Sequence, residues 1–163
     1  MNKLIVCCFV LTAYMLTACE SGLQQGGDLE LKTRQDSLSY AYGVSSINGG
    51  GQSMKALGIT LNIPKYKEGA AFAAEAGKDF DQELLSPLRA LGQELQTRQG
   101  KPFTAEDKPA TDIDAFSYAY GLYNASTYVS CDYKVNIDAT CAGMADAYAD
   151  KAKFGEEEVS LLA

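Results

Sequence analysis

Apolar residues recur at helical spacing along much of this chain. After residue 112 they fall at positions i, i+3, i+4 and i+7, which places them on one face of a helix. These positions are Phe116, Ala119, Tyr120 and Tyr123. Two alanine-rich segments, 65–78 and 138–153, also favour helix by composition. The pattern predicts an all-α protein built from short helices.

A further helix is predicted over residues 81–99, because four leucines lie along one of its faces. They are Leu84, Leu88, Leu91 and Leu95. Pro87 leaves two possibilities open: Ser86 caps a helix that begins at Pro87, or a helix that begins near Asp81 kinks there. The second is favoured, since Asp81 follows a phenylalanine that recurs later in the chain.

The chain contains an internal repeat. Residues 36–43 recur as residues 114–121, with six of the eight positions identical at an offset of 78. Later matches have an offset of 74, and a glycine-rich insertion at 48–51 accounts for the difference. These matches are Asn62 with Asn136, Ile63 with Ile137, Gly69 with Gly143 and Phe80 with Phe154. An ordered series of matches of this kind indicates a duplication.

The repeat divides the chain into a first copy at 33–100, a linker at 101–110 and a truncated second copy at 111–163. Asp36 and Asp114 are predicted to cap the first helix of each copy. Gly69 and Gly143 lie inside predicted helices, where glycine costs about 1 kcal/mol relative to alanine. A close contact between helices at each glycine is therefore expected.

The N-terminus has the features of an export signal. A lysine precedes an apolar run that is too short to span a bilayer comfortably, and the run ends in Leu16-Thr17-Ala18-Cys19. This ending resembles the lipobox of bacterial lipoproteins. We expect residues 1–18 to be removed, Cys19 to carry a lipid and residues 19–32 to form a flexible tether in the cell envelope. The alternative is a buried helix with an incidental cysteine.

Composition excludes several kinds of function. The 163-residue chain has a net charge of -7, which disfavours nucleic acid as a partner. It has no histidine, the commonest general base and metal ligand. Gly49, Gly50 and Gly51 lack the lysine that a phosphate-binding loop requires. We therefore expect no catalytic residue, metal or cofactor.

Two cysteines, Cys131 and Cys141, remain after the signal segment and Cys19. An even pair in an oxidising compartment favours a disulfide. Such a bond would close a short loop and stabilise it by about 2–3 kcal/mol. The alternative is a pair of free, buried thiols.

The segments 36–43 and 88–99 together resemble the N-terminal dimerisation domain of bacterial FKBP-type peptidyl-prolyl isomerases. The resemblance covers residues 33–99 well and residues 111–163 in part. It implies an intertwined helical bundle in which two short helices from each subunit form a dimer and a long third helix carries the catalytic domain away from the dimer centre. That catalytic domain needs roughly a hundred further residues, mostly in strands, which have no counterpart in this sequence.

This resemblance implies a membrane-anchored dimerisation or chaperone-like module in protein folding, without its own isomerase domain. Its expected partners are a second copy, a related FKBP-type isomerase or unfolded envelope polypeptides. The leucine stripe at 84–95 is the expected partner face. The tyrosines of both copies either line a groove for polypeptide or form the core. Two alternatives remain: part of an isomerase whose catalytic domain lies elsewhere, or a surface adhesion or binding lipoprotein.

Overall fold

A computed structural model describes residues 29–49, 53–77, 79–131 and 134–154. The signal segment, Cys19 and most of the predicted tether lie outside these residues. The described part contains five α-helices and one short 3-10 helix at Gln82–Leu85. The α-helices are α1 (Arg34–Asn48), α2 (Ile63–Ala76), α3 (Ser86–Thr97), α4 (Ile113–Ser130) and α5 (Ile137–Tyr148). The prediction of an all-α fold is confirmed.

The first helix of each half begins two or three residues earlier than the sequence predicted. Thr33 caps α1, and its side chain accepts a hydrogen bond from the N–H of Asp36. The carboxylate of Asp36 in turn accepts from the N–H of Thr33, which completes a capping box. Asp112, and not Asp114, caps α4. The predicted N-cap positions of Asp36 and Asp114 are therefore wrong: Asp36 is the third helical residue of the capping box, and Asp114 lies in the first turn of α4.

Two kinds of helix meet just before Pro87. Asp81 caps the 3-10 helix Gln82–Leu85, because its side chain accepts from the N–H of Glu83. The α-helix α3 follows at once, with the proline in its first turn, where its missing N–H has no intrahelical partner to lose. Neither predicted alternative describes this segment: the helical path begins next to Asp81 but as a separate 3-10 helix, and the α-helix begins at Ser86 without a side-chain cap.

Each of the first two helices pairs with a helix from the other half of the chain. Helix α1 packs against α5 and α2 packs against α4, while α2 and α5 also touch and α3 lies on α4. Within the described ranges, α1 does not pack on α2, nor α4 on α5. The two halves are therefore interlocked, and neither half encloses a core by itself.

Glycines permit the close approach of the paired helices. A Cβ on Gly69 would collide with the carbonyl oxygen of Tyr118, and a Cβ on Gly143 with that of Tyr40. Gly121 stands equally close to Tyr66. The close contact expected at Gly69 and Gly143 is confirmed, and it explains why glycine is present despite its cost inside a helix.

The connection between the halves is packed against the protein. Phe103 is 5% exposed, and its N–H donates to the carbonyl oxygen of Leu57 over 2.8 Å. The guanidinium of Arg98 lies 4.3 Å from the centre of the phenylalanine ring and forms an ion pair with Asp107. These contacts fix the path of the chain between α3 and α4.

Candidate functional site

An open apolar cleft of about 340 Å³ lies where the C-terminal parts of α2 and α4 meet the start of α5. Its walls consist mainly of small and aliphatic side chains. The lining residues are Ala74, Ala125, Tyr128, Val129, Lys134, Val135 and Ile137. Val129 is 41% exposed, so apolar surface continues to the rim of the cleft. This shape suits an apolar group of modest size.

One aromatic ring and one cation give the cleft its polar character. Tyr128 packs edge-on against Tyr42, with 5.1 Å between the ring centres. Burial is the main cause of the raised pKa of each of these two phenols. Lys134 is exposed, and it forms no ion pair with any described residue. Buried phenols and one lysine at an apolar cleft support binding of a ligand.

Other tyrosines belong mainly to the core. Tyr40 and Tyr66 are 0% and 2% exposed. Burial raises the pKa of Tyr40 to about 12, and its hydroxyl donates to Asp146 over 2.7 Å. Burial also raises the pKa of Tyr66, whose hydroxyl accepts from Asn124. Of the two roles that the sequence left open, these two tyrosines have the core role, whereas Tyr123 is 50% exposed.

Two matched polar contacts hold the halves together. The side chain of Asn62 donates to Asp114 over 2.8 Å, and that of Asn136 donates to Asp36 over 2.7 Å. Both asparagines also cap helices, since their side-chain oxygens accept from the N–H three residues later. Their backbone N–H groups donate to the hydroxyls of Ser117 and Ser39, respectively. The matched recurrence of Asn62 and Asn136 was visible in the sequence, but their partners across the halves were not.

The Asn136 contact predicts a measurable change in the acidity of Asp36. Its hydrogen bonds, above all the one from Asn136, lower the pKa of the Asp36 carboxyl. The stabilisation by Asp36 is thus present above the carboxyl's unfolded pKa and is lost as pH falls through its lower folded pKa. Asn136→Ser keeps a capping oxygen but cannot reach Asp36, so we expect the pKa of Asp36 to rise.

Carbon-detected NMR titration of the Asp36 carboxyl measures this change. Thr97→Ser, on the exposed surface of α3, is the matched control and should leave the pKa of Asp36 unchanged. An unaltered Asp36 titration in Asn136→Ser would contradict the assigned contact.

The predicted partner face is largely covered. Leu91 is 1% exposed, and Leu88 and Leu95 pack, partly buried, against the core. Only Leu84, in the 3-10 helix, is largely accessible at 39% exposure. The helical spacing identified a common face, but this face is directed toward α4, so it is not a free surface for a partner.

Cys131 and Cys141 are free thiols in this structure, and the disulfide between them stays a prediction. Cys131 ends α4 and is exposed, whereas Cys141 is 8% exposed within α5. Burial raises the pKa of the Cys141 thiol to about 12, so very little of it is thiolate at pH 8.

These thiols should differ in reactivity. With iodoacetamide at pH 8, we expect folded protein to be alkylated quickly at Cys131 and at least tenfold more slowly at Cys141. Peptide mass spectrometry identifies each site, and unfolding in urea should make the two rates similar. Failure of both thiols to react until a reductant is added would instead support the disulfide.

No group of three or more potential metal-ligating side chains occurs in the described ranges. None of the described helices is long and apolar enough to cross a bilayer.

No protein-family model, curated protein or solved structure matches this chain. The resemblance to the FKBP-type dimerisation domain therefore stays a prediction.

Proposed function

We propose that this protein is a lipid-anchored, non-catalytic binding module of the cell envelope that holds unfolded polypeptides. The apolar cleft between α2, α4 and α5 carries the proposal, since it offers open apolar surface on a body whose halves are interlocked. A rigid site loses less conformational freedom on binding than a flexible one.

The interlocked helices also support a relationship to the FKBP-type dimerisation domain. In that family two short helices from each subunit intertwine, and here the pairs α1–α5 and α2–α4 join helices of the two halves within one chain. A single chain of this kind would have the stability of the paired form without needing a second subunit. Cys19, outside the described residues, would attach it to the membrane.

An aggregation assay tests the binding function. We expect the full chain carrying Cys19→Ala to slow the aggregation of chemically denatured citrate synthase when present in excess. It should not accelerate refolding of ribonuclease T1, which is limited by prolyl isomerisation. Unchanged aggregation would refute the binding function, and strong acceleration of refolding would show an isomerase instead.

The anchor is tested separately by metabolic labelling with an alkynyl palmitate in a bacterial host. The wild-type chain should incorporate the label and the Cys19→Ala variant should not. Cys131→Ala is the matched control and should label normally. Equal labelling of Cys19→Ala would remove the lipoprotein part of the proposal.

A further inference from the structure

The cleft beside the α2–α4 pair has a counterpart beside the α1–α5 pair, and matched hydrogen bonds and glycine contacts identify the equivalent positions. Asn62 and Asn136 cap α2 and α5 in the same way, and the glycine seven residues later contacts the paired helix in each case. Ala74 and Tyr148 both lie twelve residues after these asparagines. They therefore occupy equivalent positions near the ends of their helices.

The serines that bind these asparagines identify a second pair of equivalent positions, in α1 and α4. Ser39 and Ser117 accept from the N–H groups of Asn136 and Asn62. Eight residues further on lie Ile47 and Ala125, respectively. Ile47 is 0% exposed in the core, whereas Ala125 lines the cleft.

The counterpart position is filled by the phenol of Tyr148. Its hydroxyl accepts from the N–H of Leu61 over 3.0 Å and donates to the carbonyl oxygen of Ile59 over 2.9 Å. Ile59 and Leu61 are themselves buried beside this ring. The Tyr148 hydroxyl therefore forms hydrogen bonds with two backbone groups of the segment before α2, and its ring packs against that segment.

The equivalent place, at the end of α2 beside α4, lacks this ring. Ala74 stands at the position of the tyrosine and Ala125 at that of the isoleucine, and both of these smaller side chains line the cleft. Val135 is the equivalent of Leu61, one residue before the capping asparagine. The N–H of Leu61 donates to the Tyr148 hydroxyl, whereas the N–H of Val135 donates to no acceptor within the described residues. The Val135 N–H can therefore donate to a ligand.

We propose that the cleft binds the side chain of a tyrosine, flanked by an acidic residue, in an extended partner polypeptide. The ring would take the place that the Tyr148 ring has beside the α1–α5 pair, and its hydroxyl would accept from the N–H of Val135. The ammonium of Lys134 at the rim would attract the neighbouring carboxylate. This inference rests on the proposed binding function and specifies the chemistry of its partner.

NMR titration of the full Cys19→Ala chain with p-cresol, the isolated tyrosine side chain, tests the site. We expect the largest amide shifts at Val135 and Ala74. Toluene lacks the hydroxyl and should bind about fivefold more weakly, as the loss of one hydrogen bond implies. Equal affinity for the two compounds, or shifts spread over the whole surface, would overturn the proposal.

Two short peptides test the partner class. The peptide acetyl-Gly-Tyr-Glu-Gly-amide should shift the same amides, and replacement of its tyrosine by alanine should abolish the effect. Replacement of its glutamate by glutamine should weaken binding about twofold, the size expected for an exposed ion pair. Binding of p-cresol without binding of the tyrosine peptide would overturn the assignment to a polypeptide.

Variants at equivalent positions provide controls. Ala74→Tyr should fill the cleft and abolish binding, whereas Ala71→Tyr, on the exposed surface of the same helix, should preserve it. Tyr148→Ala should create a second p-cresol site with shifts at Leu61. Full binding by Ala74→Tyr would contradict the site. Binding only after Tyr133→Ala would show that the chain's own tyrosine is the occupant, and would also overturn the proposal.

These results are independent of the aggregation assay. If Ala74→Tyr protects denatured citrate synthase as well as the parent chain does, the binding function stands and the tyrosine site fails. If p-cresol and the peptide bind but aggregation is unchanged, the site stands and the chaperone-like function fails.

Discussion

Gly121→Ala is expected to lower the free energy of unfolding by about 3 kcal/mol, at the upper end of the usual cost of overpacking. A Cβ at this position would collide with the carbonyl of Tyr66 and press on the N–H of Ala70. Both are backbone atoms, so α2 and α4 would have to separate. The gain in helix propensity, about 1 kcal/mol, is too small to offset this loss.

Gly92→Ala is the matched control, because Gly92 also lies inside a helix but nothing approaches its missing Cβ within 4 Å. It should raise the free energy of unfolding by up to about 1 kcal/mol. Urea denaturation followed by circular dichroism measures both changes. Similar midpoints for Gly121→Ala and the parent chain would show that α2 and α4 do not pack as closely as described.

Leu91→Ala is the second substitution with a large expected effect. The side chain is 1% exposed and packs in the core, so its removal should cost about 3 kcal/mol through lost burial and the cavity that remains. Leu84→Ala, at a position 39% exposed, should change stability by less than about 0.5 kcal/mol.

Sedimentation equilibrium of the same two variants separates a core role from a partner role. If the stripe were a partner face, Leu84→Ala and Leu91→Ala would both alter association while leaving stability nearly unchanged. We expect the opposite: the same molar mass for both variants, with a stability loss confined to Leu91→Ala. A change in molar mass caused by Leu84→Ala would restore the partner face at its exposed end.

The sequence predicted the helices well because their signals are local. Alanine-rich segments, leucine spacing and glycines inside helices led to the all-α fold and to the close contacts at Gly69 and Gly143. The N-cap residues were predicted wrongly, since Thr33 and Asp36 together form one capping box and either residue type suits the first position. A sequence shows that a capping side chain is near, and only the backbone shows where the helix begins.

The pairing of the helices and the cleft could not be predicted in this way. An apolar stripe shows that a helix needs a partner, but it does not identify that partner, as Leu91 illustrates. The cleft depends on a contrast between Ala74 and Tyr148, two positions in helices that do not pair with each other. Ala74 and Tyr148 align at the offset of 74. An alanine in the sequence does not show whether a neighbouring side chain fills the space that a tyrosine would occupy.

The exchanged pairing has a consequence for how the protein folds. Helical proteins usually fold quickly because their contacts join residues near in sequence. Here the contacts that close the structure are distant: Asn62 reaches Ser117, and Tyr40 reaches Asp146, 106 positions away. The chain must close these long loops before either helix pair can form. Closing a long loop costs conformational entropy. It should therefore fold slowly for an all-helical protein, and only after α5 has been synthesised.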